Sequence, residues 1–222
     1  MIFSRFTSVR WKEYHELRYW KARKNAEGVL KNTWYEYFYT THFGLDATYY
    51  TNKVLLDIGC GPRGSLEWAS MAARRIGLDP LAGEYLKLGA AAQQMEYIDA
   101  PSEQVPLPDA ACDAIFSFNS LDHVEDVDRT ISEIIRVTRP GGIFLLLVEV
   151  NHPPTFCEPH QLHPVGLLDA LQPAFRCETL DVYRPTAANL YLSVRAGELF
   201  SEPQQTHEPG YLSARFVRNP AG

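Results

Sequence analysis

The apolar positions of the chain change their spacing at about residue 53. Before that point, aromatic and leucine side chains recur at helical intervals between residues 9 and 26, which predicts an amphipathic helix. A second aromatic group at residues 34–39 predicts another helix or a short helical turn. From Lys53 onward, short apolar runs alternate with helical patterns, which is typical of a parallel sheet covered by helices. We therefore predict an α/β core with an N-terminal helical cap.

The apolar runs also give the order of elements in this core. Strands are predicted at residues 54–58, 75–78, 95–98, 113–119 and 143–150. Helices are predicted at residues 64–73, 82–93 and 124–138. After an irregular polar stretch at 151–164, we expect a helix at 167–171, strands at 175–182 and 189–195, and an edge strand at 211–217. The pattern divides the chain into a cap (1–50), a core (51–200) and a loosely specified C-terminal tail (201–222).

Composition narrows the classes of function. The 222 residues carry a net charge of −6, so the chain as a whole does not attract nucleic-acid phosphates. No apolar run approaches the roughly 18 residues that a membrane span requires. Four scattered cysteines are typical of a reducing compartment, and the first twenty residues lack the pattern of a signal peptide. We expect a cytoplasmic protein that acts on a small molecule and has no nucleic-acid partner.

The N-terminal stretch differs from the rest because it is basic and aromatic. One interpretation is a lid over a ligand site, in which Trp11, Tyr14 and Trp20 select an aromatic or anionic acceptor. The other interpretation is a structural cover with solvated lysines and arginines. The sequence leaves both open.

A glycine-rich turn follows the first predicted strand directly. It begins Asp57-Ile58-Gly59-Cys60-Gly61 and reaches a third glycine three residues later. This spacing also fits the GxGxxG turn that binds dinucleotide pyrophosphates, so a nicotinamide-dependent oxidoreductase is one alternative. A carboxylate at Asp57 would repel a pyrophosphate and attract a ligand that carries an ammonium and a sulfonium group.

The same segment resembles the first motif of the class I S-adenosylmethionine-dependent methyltransferases, and the resemblance extends from about residue 53 to 150, more loosely to 195. It implies a three-layer Rossmann-like α/β fold with a seven-stranded, mostly parallel sheet whose last strand is antiparallel. It also implies S-adenosylmethionine as cofactor and S-adenosylhomocysteine as product. By resemblance, Asp79 binds the ribose hydroxyls, Asp99 the adenine amino group, and the segment at Asn119 borders the methionine moiety. The implied cofactor-binding set is Asp57, Gly59, Cys60, Gly61, Asp79, Pro80, Asp99, Ala100 and Asn119.

Candidate general bases follow the fourth and fifth predicted strands, where open parallel sheets bind their ligands. We rank His152 and His160 first, and Asp122 and His123 next. Glu149, Glu158 and His163 lie in the same region. The spacing of the histidines matches no zinc pattern, and magnesium would prefer carboxylates, so we expect no metal.

These observations predict S-adenosylmethionine-dependent methyl transfer to a small molecule, with oxygen as the favoured acceptor atom. A non-catalytic partner subunit with the same fold is an alternative outside enzymology, because the sequence contains no unambiguous base.

Overall fold

The computed structural model describes residues 2–32 and 34–220, with side chains from residue 11 onward. Its strands are β1 (Val54–Ile58), β2 (Arg74–Asp79), β3 (Glu96–Asp99), β4 (Cys112–Phe118), β5 (Thr138–Val150), β6 (Phe175–Tyr183) and β7 (Gly210–Arg218). Its helices are α1 (Ile2–Glu27), α2 (Glu36–Tyr39), α3 (Ala82–Lys87), α4 (Val127–Val137), α5 (Pro164–Leu171) and α6 (Leu190–Ala196).

The seven strands form one sheet in the order β3-β2-β1-β4-β5-β7-β6. The pairings among β1 to β5 are parallel, whereas β7 runs antiparallel to both β5 and β6. The predicted fold class is therefore confirmed, including the antiparallel last strand. Because β1 to β4 are parallel neighbours, their carboxyl ends meet at one edge of the sheet.

Two apolar clusters cover the two faces of the central strands. On one face, α4 and α5 bury Ile131, Ile134 and Leu167 against the sheet. On the other face, the aromatic segment from α2 to the start of β1 buries Phe38 and Tyr50 completely. Burial of such a side chain contributes about 1.5–3 kcal/mol, so the segment before β1 packs as part of the main core.

The first half of the chain departs from three element predictions. The predicted helix at 64–73 is a series of turns. The helix predicted to reach residue 93 ends at Lys87, and Gly89 then adopts a left-handed φ of +110°. The helix predicted at 9–26 is longer, as α1, and none of its described side chains is buried. The predicted amphipathic pattern is only partly present: Leu17 and Trp20 pack against an apolar cluster, whereas Trp11, Tyr14 and Tyr19 are each more than half exposed.

The second half departs from two further predictions. The strand predicted at 189–195 is α6, because Asn189 caps it by accepting from the Leu192 N–H at 3.0 Å. In the helix, Leu190 and Val194 are buried four residues apart, while Leu192 is exposed. The predicted edge strand at 211–217 lies inside the sheet as β7, so the sheet extends into the residues that we assigned to the tail.

Among the described residues, the helices either are too short or carry too many charges to cross a membrane.

Candidate cofactor and acceptor site

The glycine turn after β1 is fixed to both neighbouring strands. The Gly59 N–H donates to the Leu78 carbonyl at the end of β2, at 2.8 Å. On the other side, the Ser120 hydroxyl donates to the Ile58 carbonyl at 2.9 Å. A Cβ added to Gly59 would lie 2.3 Å from the Ser120 Cβ, and Gly59 has a φ of +70°. Only glycine fits this position, and the turn is rigidly held at the carboxyl edge of the sheet.

Asp57 lies near the end of β1 and is 2% exposed. The Tyr39 hydroxyl donates to its Oδ2 at 2.9 Å. Burial raises the pKa of Asp57 to about 7, although the hydrogen bond from Tyr39 partly opposes this shift. The carboxylate has no cationic partner among these contacts, so a cationic group of a ligand would stabilise it strongly.

Asp79 ends β2 and is 4% exposed. Its oxygens accept from the Leu81 N–H at 2.9 Å and from the Gly61 N–H at 3.3 Å. Burial, followed by the negative charge of Glu16, raises the pKa of Asp79 to about 7. A carboxylate has about four lone-pair positions, so two remain for the hydroxyls of a ligand. Two buried acids beside a glycine turn suit a ligand that carries both a positive charge and hydroxyl groups, such as S-adenosylmethionine.

The other predicted cofactor residues lie along the same edge. Asp99 ends β3 opposite Asp79 in register, and its Oδ2 accepts from the Gly83 N–H at 3.2 Å. Asn119 follows β4 with a φ of +55°, and its N–H donates to the Leu147 carbonyl at 2.7 Å. Cys60 is buried, Ala100 is half-buried, and Pro80 is exposed. Their contacts with a cofactor remain predictions.

Helix α1 crosses the cofactor edge. The Trp20 ring lies 3.5 Å from the position that a Cβ on Gly61 would take, and the Arg63 guanidinium lies 5.4 Å from the centre of this ring. Farther along the helix, Glu16 accepts from the Tyr85 hydroxyl at 3.0 Å. Of the three side chains predicted to form a lid, Trp20 contacts the turn, whereas Trp11 and Tyr14 are exposed.

We expect Trp20→Ala to increase both the association and the dissociation rate of S-adenosylhomocysteine severalfold, because Trp20 covers Gly61 and must move for a ligand to enter. Surface plasmon resonance measures both rates. Trp11→Ala is the matched control, since the Trp11 side chain is 58% exposed. Equal rates in the Trp20 variant and the wild type would argue against the lid.

A second group of polar side chains lies beyond β4 and β5. Asp122 belongs to the short 3-10 turn Leu121–His123 after β4 and is fully buried. Its Oδ2 lies 3.6 Å from His152 Nε2, and its Oδ1 lies 4.0 Å from His123 Nε2. His123 Nε2 also lies 3.8 Å from Glu158 Oε1. The structure therefore brings together three of the four predicted catalytic residues, together with Glu158.

The fourth candidate, His160, makes a different contact. Its Nε2 hydrogen-bonds the Val124 carbonyl at 2.8 Å. His163 Nδ1 likewise bonds Asn151 Oδ1 at 2.8 Å, so both histidines help to hold the segment 151–163. His152 Nδ1 lies 3.0 Å from the Pro153 carbonyl, which leaves neither ring nitrogen of His152 directed at open space.

Sequence reasoning missed several residues of the site. The Tyr39 hydroxyl bonds Asp57 and the charge of Glu16 acts on Asp79, yet each of these two residues lies on an element distant in sequence from the acid that it meets. No local pattern marks them. The strand-end position marks Asp57 and Asp79, which is why these two could be found.

The raised pKa of Asp57 predicts a pH dependence of stability. A carboxyl whose folded pKa exceeds its unfolded value contributes stability that is present below about pH 4 and is lost as the pH rises through about 7. We expect the Tm of the wild type to fall relative to Asp57→Asn over this range, by an amount equivalent to roughly 4 kcal/mol at most. Thermal melts of both proteins between pH 4 and 8 measure it. If the Tm of both proteins changes with pH in the same way, the raised pKa of Asp57 is wrong.

The strand order and the antiparallel β7 define a Rossmann-like fold of the methyltransferase type. Residues 56–146 match the family model of the methyltransferase domain. Over 100 residues, the chain is 40% identical to the malonyl-(acyl-carrier protein) O-methyltransferase of Yersinia pestis, a segment that covers 43% of this chain and 36% of that protein. The domain at residues 56–146 is therefore similar to the class I S-adenosylmethionine-dependent methyltransferases.

Solved structures agree on the fold. An S-adenosylmethionine-dependent methyltransferase from Mesorhizobium loti superposes with a TM-score of 0.60 at 21% identity, covering 80% of this chain and all of that one. The cyclase SpnF superposes with a TM-score of 0.54 at 23% identity, covering 79% and 80%. The fold therefore also occurs in a protein named for another reaction. The curated match spans only about a third of its relative's length, so it does not identify the acceptor.

Proposed function

We propose that this protein transfers a methyl group from S-adenosylmethionine to an oxygen atom of a small molecule. The observation that carries the proposal is the pair of buried acids, Asp57 and Asp79, on either side of the glycine turn. When bound, the cofactor supplies a methyl group that its sulfonium has already activated. The protein then has to bind the cofactor and the acceptor, orient them for the transfer, and exclude water.

Each part of the cofactor edge has a distinct task in this proposal. Asp57 attracts the cationic end of the cofactor, and its buried position strengthens this attraction because few waters compete with it. Asp79 accepts hydrogen bonds from the ribose hydroxyls while the N–H groups of Leu81 and Gly61 keep its carboxylate in place. Trp20 covers the turn and keeps water out.

Two observations favour oxygen as the acceptor atom. Carboxylate and imidazole groups lie close together beyond β4 and β5, on Asp122, His123 and Glu158. Such groups can accept the proton that a hydroxyl acceptor has to lose. The Yersinia pestis relative is named as an O-methyltransferase. The exposed basic and aromatic residues of α1 support an acceptor that is aromatic or anionic.

Thermal melts with three ligands test the cofactor. We expect S-adenosylmethionine and S-adenosylhomocysteine to raise the Tm and NAD to leave it unchanged. A rise with NAD alone would favour the oxidoreductase. Incubation with cofactor labelled in the methyl group and a panel of phenols, carboxylic acids and amines then tests the reaction. Cofactor binding without transfer to any of these acceptors would favour the non-catalytic partner subunit.

A further inference from the structure

We infer that Asp122, His123 and Glu158 form a binding site for a divalent transition-metal ion. The sequence suggested no metal because the histidines of the segment after β5 lack a ligand spacing. The structure selects a different set, two adjacent residues after β4 and one glutamate from the segment after β5. The site itself is independent of the proposed function, but its role toward the acceptor rests on that function.

The ligand atoms are already close enough to share one ion. One carboxylate or imidazole atom from each of the three residues lies within 4.8 Å of the others. His123 Nε2 is 3.8 Å from Glu158 Oε1 and 4.0 Å from Asp122 Oδ1. Two ligands of a tetrahedral ion, each bound at about 2.1 Å, are separated by about 3.4 Å. Small rotations of the partly exposed His123 and Glu158 side chains would close this difference.

The condition of Asp122 independently indicates a missing ligand. Its side chain is 1% exposed, and neither carboxylate oxygen has a hydrogen-bond partner among the described residues. A buried carboxylate normally has hydrogen-bond donors or a bound cation, because burying an unpaired charge costs several kcal/mol. A metal ion on the Oδ1 side would supply the missing partner.

His152 completes the arrangement as a positioning residue. Its Nε2 also lacks a hydrogen-bond partner among the described residues, and it lies 3.6 Å from the second oxygen of Asp122. Its Nδ1 is held by the Pro153 carbonyl. Outer partners of this kind orient the carboxylates that bind metals. With a proton on each ring nitrogen, His152 would donate to the Pro153 carbonyl and to Asp122 Oδ2, and would thus fix the Asp122 carboxylate with Oδ1 turned toward the ion.

The donor set favours Mn²⁺, Zn²⁺ or Fe²⁺ over Mg²⁺ and Ca²⁺, since the last two prefer oxygen ligands alone. The side chains of His123 and Glu158 are 30% and 28% exposed, so an ion here would keep open coordination positions toward solvent. Asp122 comes two residues after Ser120, which touches the glycine turn. The open positions would therefore lie near the cofactor edge, where they could hold an acceptor oxygen.

The experiment uses the full chain without a histidine tag, treated with a chelator and titrated with Mn²⁺ followed by electron paramagnetic resonance. We expect saturable binding of one ion, weakened at least about tenfold in Asp122→Asn and in Glu158→Gln. His207→Gln controls for adventitious binding by a surface histidine and should match the wild type, since His207 is exposed and lies outside this group. Co²⁺ absorption provides a second readout of the imidazole and carboxylate ligands.

Thermal melts of the metal-free proteins show whether the variants fold. Asp122→Asn removes an unpaired buried carboxylate, so we expect its Tm to equal or exceed that of the wild type. Equal Mn²⁺ affinity in the wild type and both variants, or no saturable binding up to about 1 mM, would overturn the site. The S-adenosylhomocysteine shift, measured without metal, tests the proposed function separately, so the two failures can be told apart.

Discussion

S-adenosylhomocysteine should raise the Tm of the wild type by roughly 5–11 °C and leave the Tm of Asp79→Ala unchanged. At about 100 times the dissociation constant, a ligand stabilises the folded state by roughly 2.7 kcal/mol, and each kcal/mol shifts the Tm of a chain of this size by about 2–4 °C. Asp79→Ala removes the acceptor that we assign to the ribose hydroxyls. It also removes the acceptor that holds the Gly61 N–H.

The matched control is Asp181→Ala. Asp181 is also a strand aspartate, although half-buried where Asp79 is buried, and it lies on β6, which is five positions from β2 in the sheet. We expect this variant to keep the full ligand shift. A shift that survives in Asp79→Ala at the same ligand concentration would remove Asp79 from the cofactor site, and a wild type without any shift would remove the cofactor itself.

Gly59→Ala should destabilise the protein by about 3–5 kcal/mol, which is at the high end for a single substitution. The new Cβ would lie 2.3 Å from the Ser120 Cβ, and the backbone of residue 59 would remain in the left-handed region. Ser120 cannot withdraw easily, since its hydroxyl bonds Ile58 O and Ser117 Oγ at 2.9 and 2.8 Å. Urea unfolding monitored by circular dichroism measures the loss.

Two further variants separate the causes of this loss. Gly44 has a similar φ of +67°, but no described atom lies within 4 Å of a Cβ added there. Gly44→Ala should therefore cost only the strain of the left-handed backbone, about 1–2 kcal/mol. Gly59→Ala combined with Ser120→Gly removes the clash and should recover most of the remainder. If Gly59→Ala and Gly44→Ala cost the same, the close approach of the glycine turn to Ser120 is wrong.

The predictable part of the candidate site consists of residues whose location depends on their place in a strand. Asp57 and Asp79 end apolar runs that could only be buried strands, and parallel pairing brings those ends together. Asp122, His123 and His152 were found for the same reason, since they follow β4 and β5. The strand ends could not indicate that His123 lies beside Glu158 or that His160 hydrogen-bonds the Val124 carbonyl.

The wrong element predictions share a physical cause. Leu190, Leu192 and Val194 alternate as in a strand, but Leu190 and Val194 are also four residues apart as in a helix, so the apolar pattern of a short segment fits both. The helix is favoured over the strand because it packs both Leu190 and Val194 into the apolar cluster around Phe38 and Tyr50. In the same way, β7 enters the sheet between β5 and β6 because its apolar residues fit there, which the order of the chain does not predict.

The sequence by itself determined the parallel α/β core, the glycine turn and the two acids beside it, because these depend on the apolar period and on residues adjacent in the chain. Only the tertiary structure decided that α1 lies on the glycine turn through Trp20 and that Tyr39 bonds Asp57. It also decided that Asp122 is buried without a hydrogen-bond donor from the part of the chain that the structure describes. Those features depend on contacts between distant segments, and such contacts are set by how whole faces pack together.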